Sequence, residues 1–497
     1  MGVCYPSELP TGMTAMPGCY SRVSSNYGNY QFTDGSVMCY VPKFYYKIGT
    51  GLNGLDVNIV DIKPATAFAD TAAANTAGYA LHRAFIDGGV EQPGFFVDKY
   101  KASKVAYGTG YVGASIKNGL PLSTAWAHNP VSELTASGGY SYYYLAIDCA
   151  HARDGVNGAV NASSNFFCCS RFVHAALALL SLAHGQASTF TAYCAWYQSG
   201  ANFPKGCNNG SLRDINDASV LYTTDGYLNC GKTGSGVVFA KTTHNGQDCG
   251  VADLNGLMLE VSIGVTCIAT SPAIEAMSQA NPCVITVTGH GLETGDYVQV
   301  NGITQADWSG CKDKIWSITK VGDDTFSIPF NASGFGTAYD AGTDPGTITK
   351  GTFYMAKQVT AMKTFTSGAA AATDHWGATG CAAMMDEFTP AFETSGGGTF
   401  AQRFGSGTNQ VFSEAVSGDG YNLTGAGMPK GAGGIDTSGT ATFGQDYYYQ
   451  HIVNQLCCLA CAVWYDSTGA GVWSLHWGYY RTSSSSFVGW RCACYPV

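Results

Sequence analysis

Thiols and carboxylates are the side chains of this sequence best suited to chemistry. Nineteen cysteines are present, among them the doublets Cys168-Cys169 and Cys457-Cys458, followed by Cys461, Cys492 and Cys494. Thiolates at short spacing hold zinc or copper(I), yet no two-plus-two arrangement of CxxC pairs occurs and histidines do not cluster along the chain. The cysteines therefore read as small buried hydrophobes, with disulfides open to a protein that works outside the cell. Their odd count leaves a thiol unpaired or paired between chains. The carboxylates Asp386-Glu387, and Asp253 with Glu260, come without an evident histidine partner, so acid–base hydrolysis has no support. His290 and Asp296 read as a turn histidine and a hairpin aspartate. No catalytic residue, metal or cofactor is expected.

Recognition chemistry is better represented. The C-terminal stretch from Trp464 to Trp490 sets large flat rings beside Ser, Gly and a single Arg, including Trp473, His476, Trp477, Tyr479, Tyr480, Arg481 and Phe487. Binding surfaces combine rigid aromatic area with adaptable hydrogen bonding in this way, whereas a core strand alternates aliphatic and polar residues. Candidate ligand contacts are Trp464, Tyr465, Trp473, His476, Trp477, Tyr479, Tyr480 and Arg481. Alternate members are expected to fill the core, with Tyr479, Tyr480 and Arg481 preferred over Trp473 as contacts. Aromatic faces stack on sugars or peptides, and Arg adds directional donors.

The elements that position these residues must come from a chain with few charges. Hydrophobic residues make up 45% of its 497 residues and charged ones only 12%, about half the usual share. Gly is abundant at 64, with 30 Tyr and 24 Phe, so loops and polar-aromatic surfaces should dominate over long helices. A net charge of −10 with no basic stripe argues against nucleic acid as a partner. The apolar run Phe172 to Ala183 is too short to span a bilayer and reads as a buried helix, so no membrane insertion is expected. The opening Met-Gly-Val-Cys-Tyr-Pro lacks the charged and apolar regions of a signal peptide, which implies synthesis in a cytoplasm.

Residues 1–35 show no periodicity and read as an extended arm or attachment segment. Val37 to Lys47 is strand-like, with Pro42 at an edge or bulge, and Gly94 to Tyr100 gives a second strand signal. Arg171 to His184 predicts a helix ended by Gly185, and Thr189 to Tyr197 a further one. Ser367 to Thr373 reads as a helix start or loop, Gly396 to Gly439 as a long glycine-laden stretch, and Leu456 to Tyr465 as a strand.

Residues 272–349 stand apart. Pro282 to Leu292, Thr294 to Gly302 and Trp316 to Ile328 alternate along short strands joined by Gly-Asp and Asn-Gly turns, predicting a small all-β domain. With Gly289-His290-Gly291-Leu292, Thr294-Gly295-Asp296 and Asp324-Thr325-Phe326, this stretch resembles the small β domain named after ubiquitin-activating enzymes that recurs in bacteriophage tail proteins.

Around it run four islands: Gly94-Phe95-Phe96-Val97-Asp98-Lys99-Tyr100, Arg171 to His184, Asp253-Leu254-Asn255-Gly256 to Glu260, and Gly489-Trp490-Arg491-Cys492-Ala493. In order, these resemble the C-type-lectin-like fold shared by formylglycine-generating enzymes and the variable proteins of diversity-generating retroelements. In the third island Leu257 and Met258 replace the family's Asn-Val, and Leu259 its Trp. The resemblance implies a loop-rich α+β, C-type-lectin-like fold over 36–271 and 350–497, with the β domain of 272–349 inserted. It also implies that the last strands display the binding residues. The terminal Arg491 suits a carboxylate partner inside the core.

Three functional classes follow. The first is a phage virion protein, a tail fibre or tail tip that binds a host cell-surface receptor, glycan or protein, and assembles with other virion subunits as a homo-oligomer, by analogy a trimer. The second is a structural virion component, such as a capsid decoration or baseplate spacer, with the aromatic cluster buried against a neighbour. The third is a formylglycine-generating type of oxidase. That chemistry requires a thiol pair shortly before the terminal island. No Cys lies between Cys461 and Cys492, and Cys492 with Cys494 falls too late, which counts against an enzyme.

Overall fold

The computed structural model describes residues 5–496 apart from 7, 135–141, 189–203, 369–373, 396–397, 406–407, 415, 417–418, 437–442 and 444. The second helix expected over Thr189 to Tyr197 lies outside the described residues, as does much of the alanine run after Ser367 and part of Gly396 to Gly439. The described chain is mixed and strand-rich.

A six-stranded sheet runs in the order Met13–Ala15, Asn29–Phe32, Val37–Pro42, Gly94–Asp98, Cys492–Cys494, Phe166–Cys168. Within residues 1–35, expected to form an extended arm, Met13–Ala15 and Asn29–Phe32 pair into this sheet. Tyr30 and Phe32 are buried in the main core, and Tyr30 packs edge-on against Phe96. The aromatic content that gave this segment no visible period is what anchors it. Pro42 closes its strand opposite Gly94, where a missing backbone donor costs no ladder bond.

The helix Arg171–Ala187 opens on Ser170, whose hydroxyl accepts from the Val173 amide at 3.2 Å. It continues through Gly185, the expected stop, to Ala187. Nearly every residue from Arg171 to Leu182 is buried, so tertiary packing outweighs the weak helical preference of one glycine. No helix among the described residues is long and apolar enough to cross a membrane.

The segment around 274–348 has its own core, built on Ile285, Val298, Trp308, Trp316, Phe326 and Ile348. Its strands Cys283–Thr286 and Thr325–Ile328 pair antiparallel, as do Tyr297–Asn301 and Lys314–Ser317. His290 is buried in a turn. Its Nε2 lies 3.0 Å from the Gly322 carbonyl, and its Nδ1 accepts from the Leu292 amide at 2.9 Å. The strand Thr347–Ala356 runs on from this core into the main one: Ile348 belongs to the former, Phe353 and Met355 to the latter. A boundary at 349 therefore falls within one continuous strand, which pairs along Val265–Thr270.

A second large sheet is assembled from short pieces: Ile435–Asp436, Ala401–Phe404, Tyr447–Tyr449, Leu475–His476, Leu459–Ala460, Leu259–Val261 and Val488–Gly489. The strand expected over Leu456 to Tyr465 shrinks to Leu459–Ala460. Cys461 (φ 61°) adopts left-handed backbone that ends the ladder on its C-terminal side.

The two large sheets meet on a buried ionic cluster to which all four islands contribute. Arg491 grips Glu260 through Nε–Oε2 at 2.6 Å and Nη2–Oε1 at 2.8 Å, and its remaining donors reach the Asp98 carbonyl (2.9 Å) and the Ala252 carbonyl (3.0 Å). Lys101 Nζ pairs with Glu260 Oε1 and donates to the Met258 carbonyl at 3.0 Å. From the long helix, His174 Nε2 reaches Glu260 Oε2 at 3.2 Å. Alongside, Arg153 forks onto Asp98 at 3.0 and 2.8 Å and pairs with Asp34 at 3.1 Å, while Asp98 Oδ2 accepts the Cys492 amide at 2.8 Å. All of these side chains are buried. Three carboxylates face three cations, so the cluster balances without solvent.

Burial opposes ionisation of Glu260, but Arg491, Lys101 and the His174 hydrogen bond outweigh it and hold the carboxyl well below the ordinary glutamate value. Burial keeps His174 neutral despite Glu260. Glu260→Gln should therefore lower unfolding stability by about 3–5 kcal/mol in urea titrations at pH 7, because two buried cations lose their counter-charge. A carboxyl with a depressed folded pKa stabilises fully above its unfolded value and loses that contribution as pH falls through the folded one. The gap between wild type and Glu260→Gln should accordingly narrow as pH drops below 4.5.

Candidate functional site

The sheet that carries Glu260 also carries an open cleft of about 230 Å³. Its floor is Leu259, Cys461 and Leu475, and its walls include Tyr447, Tyr449, Tyr465, Asp466, His476, Tyr479 and Phe487. Leu259 is the sequence neighbour of Glu260, so the cluster that fixes the strand also sets the floor of the cleft. Parallel pairing of Tyr447–Tyr449 with Leu475–His476 puts Tyr449 directly beside His476.

The rings form a ladder. Tyr449 and His476 stack with centroids 4.4 Å apart, and His476 stacks on Tyr479 at 4.9 Å with planes 13° apart. Tyr479 meets Tyr143 edge-on, while His451 extends the row from Tyr449 to Phe400. Burial pushes the imidazoles down, His476 to about 3 and His451 to about 4, so both are uncharged at neutral pH. Arg403 lies over the Tyr447 ring at 3.7 Å. Asp466, whose Oδ2 accepts the Val463 amide at 3.0 Å, is pushed up to about 6 by burial, against that hydrogen bond and the charge of Arg403.

Of the eight residues singled out in the sequence, Tyr465, His476 and Tyr479 line this cleft, and Tyr480 is exposed outside its lining. The other four are buried. Trp473 packs among Phe404, Phe412 and Phe443, 4.7 Å from the Phe412 ring. Trp477 stacks on Phe353 at 5.2 Å and meets Phe392 and Tyr448. Trp464 sits in a small core with Tyr222, Leu257 and Met258. Arg481, expected as a directional donor to a ligand, instead donates to Gln455 Oε1 at 3.2 Å and to the Ser367 carbonyl at 3.0 Å, with its guanidinium over the Tyr144 ring. Each tryptophan is packed inside a core, and Arg481 is turned inward onto side-chain and backbone oxygens.

Tyr447, Tyr449, Asp466 and Phe487 were not among the sequence candidates. The triplet Tyr447-Tyr448-Tyr449 carried a usable signal, since alternation along a strand buries its middle ring and turns the outer two toward the other face.

Larger cavities lie elsewhere. One of about 510 Å³ runs between Gly291–Tyr297 and Phe388–Pro390, and one of about 440 Å³ is framed by Tyr40, Phe44, Leu180 and His244. Neither contains any of the eight candidates. Every cysteine among the described residues is buried and outside any disulfide. Burial pushes the Cys492 and Cys494 thiols up, away from the thiolate form that binds copper. His174, Glu260 and Cys461 converge with metal-ligand spacing, but Arg491 and Lys101 already supply the positive charge there. No family model matches the chain, and no curated protein matches it.

Trp473→Ala should cost about 3–5 kcal/mol of stability, the range for truncating a buried large aromatic. Tyr480→Ala should shift it by no more than about 0.5 kcal/mol. Parallel denaturant titrations check the contrast. Because the raised value of Asp466 makes its ionised form the costly one, Asp466→Asn should gain thermal stability relative to wild type as pH rises from about 4 to about 6, and the difference should level off above that. A difference melting profile over that range reads the effect.

Proposed function

We propose that this chain is a bacteriophage virion protein that recognises a host cell-surface receptor through the aromatic cleft of its second large sheet. The observation that carries this reading is the ladder Tyr449–His476–Tyr479 with Tyr465 and Phe487 around an open cleft. It offers flat, preordered contact area at small entropic cost. Uncharged imidazoles, tyrosine hydroxyls and one carboxylate suit a neutral polar ligand such as a sugar ring or a peptide turn.

The convergence of Asp98, His174, Glu260 and Arg491 supports the C-type-lectin-like resemblance, in which terminal strands display the ligand contacts. The β segment of 272–349 supports placement in a tail, on an external surface of the particle. Many copies in an oligomeric assembly would multiply weak single-site contacts. In this reading the protein is an adhesin and carries no catalytic centre.

Purified protein or assembled particles bearing Tyr449→Ala or Tyr479→Ala should bind host cells at least roughly tenfold more weakly, the loss expected for truncating an aromatic anchor. Circular dichroism and particle yield should stay at wild-type levels. Undiminished adsorption by both variants would exclude the cleft as the receptor site. Loss of particle assembly with normal folding would point to a structural role between subunits.

A further inference from the structure

We propose that His128, Asp225 and Cys230 form a structural zinc site that fastens the loops of residues 204–258 beneath the aromatic cleft. The ligand atoms of these three residues lie within 4.8 Å of one another, and the His128 and Cys230 side chains are buried. They supply one imidazole nitrogen, one carboxylate oxygen and one sulfur, a donor set that selects zinc among common divalent ions.

The surroundings orient the ligands as a metal requires. His128 Nδ1 lies 2.6 Å from the Ser486 carbonyl, which can only accept, so Nδ1 carries the proton. In the neutral ring Nε2 then presents a lone pair, and it faces Asp225 Oδ2 at 2.5 Å. At that distance the two atoms share a proton, whose place a metal ion would take on binding. The other carboxylate oxygen, Oδ1, is occupied by the Tyr227 amide at 2.8 Å, which leaves Oδ2 for the shared cation. Tyr227 also stacks flat on His128 at 4.1 Å and fixes the ring plane. Backbone partners of this kind on the far side of each ligand are the usual outer shell of a metal site.

A proton is shared by His128 and Asp225, and the Cys230 thiol hydrogen-bonds to Asp225, so three donors converge on one point where an ion would replace the protons. No Lys or Arg among the described residues forms an ion pair with Asp225, in contrast to the Glu260 cluster, where two cations stand in for a metal. On binding, the Cys230 thiol proton and any proton shared by His128 and Asp225 pass to solvent, and the fourth position is left for water. Ligands of tetrahedral zinc stand about 3.2–3.8 Å apart, so the imidazole and carboxylate separate by about 1 Å to admit the ion.

The local fold has reason to use such a staple. Among the described residues, the core beside the site is the small cluster of Cys207, Val220, Tyr222, Cys230, Leu257, Met258 and Trp464, and the loops over it carry the short hairpin Cys207–Asn208 and Ser211–Asp214 and the single 3-10 turn Phe239–Thr242. Cores this small commonly rely on a metal or disulfide. His128 and Tyr227 both meet Trp464 edge-on, and Ser486 precedes Phe487 in the cleft wall, so the site would brace one side of the cleft.

The full-length protein, purified without chelator from zinc-supplemented cells, should contain stoichiometric zinc by mass spectrometry. Asp225→Asn and Cys230→Ser should reduce bound zinc roughly tenfold or more, while Cys207→Ser, a neighbouring buried thiol outside the cluster, should retain it. Replacing zinc by cobalt in the wild type should give a sulfur-to-cobalt charge-transfer band, which decides the matter even if the variants fold poorly. Wild-type protein with neither zinc nor that band, or equal zinc in wild type and Cys230→Ser, would overturn the proposal.

Discussion

A carboxylate buried in a protein interior must be compensated where it stands, and Glu260 is held by two cations and one neutral hydrogen-bonding imidazole from three distant parts of the chain. Arg491 comes from the penultimate segment, Lys101 from just after the central strand of the first sheet, and His174 from the long helix. Attraction without water is strong, and its loss leaves charge stranded, so the geometry tolerates little displacement. This requirement holds the two large sheets in register. Arg491 also binds the Asp98 carbonyl, and Asp98 holds the Cys492 amide, so the terminal strand is fixed on both faces.

The cleft inherits its shape from that arrangement. Leu259 and Cys461 flank the cluster and form the cleft floor, while Val488–Gly489 pairs beside Leu259–Val261 just after Phe487. Gly256 adopts φ 113°, and a side chain there would strike the Lys205 carbonyl and the Ala470 side chain, so the turn leading into the Glu260 strand requires glycine. The rings that face the cleft stand on short strands whose backbone positions are set from below. Recognition by preordered rings depends on such support, because a ladder free to rearrange would lose binding energy to ordering.

Much of the framework was legible in the sequence. The pattern Gly94 to Asp98 pairs as a strand, the Ala- and Leu-rich run from Arg171 is a buried helix, and Arg491 finds a carboxylate in the core. Local signals sufficed for these, because apolar period, capping Ser170 and charge complementarity act over short stretches. The cleft was only half legible. Tyr465, His476 and Tyr479 lie in it, but composition alone could not separate them from Trp473 and Trp477, which are packed inside the core. Which ring faces inward depends on pairings such as Tyr449 with His476, joined by a long connection. The first 35 residues were misread for a related reason: irregular, tyrosine-rich segments look unattached until the sheet that receives them is known. The cluster of His128, Asp225 and Cys230 spans about a hundred residues, so no local spacing motif announces it.

The proposed role as a virion adhesin is tested most directly by the position of this chain in an intact particle, by electron cryomicroscopy at a resolution that traces the last strands. The account predicts that the cleft between Tyr449, Tyr465 and Tyr479 opens to solvent at the outer tip or surface of the particle. A cleft buried against a neighbouring subunit would contradict it.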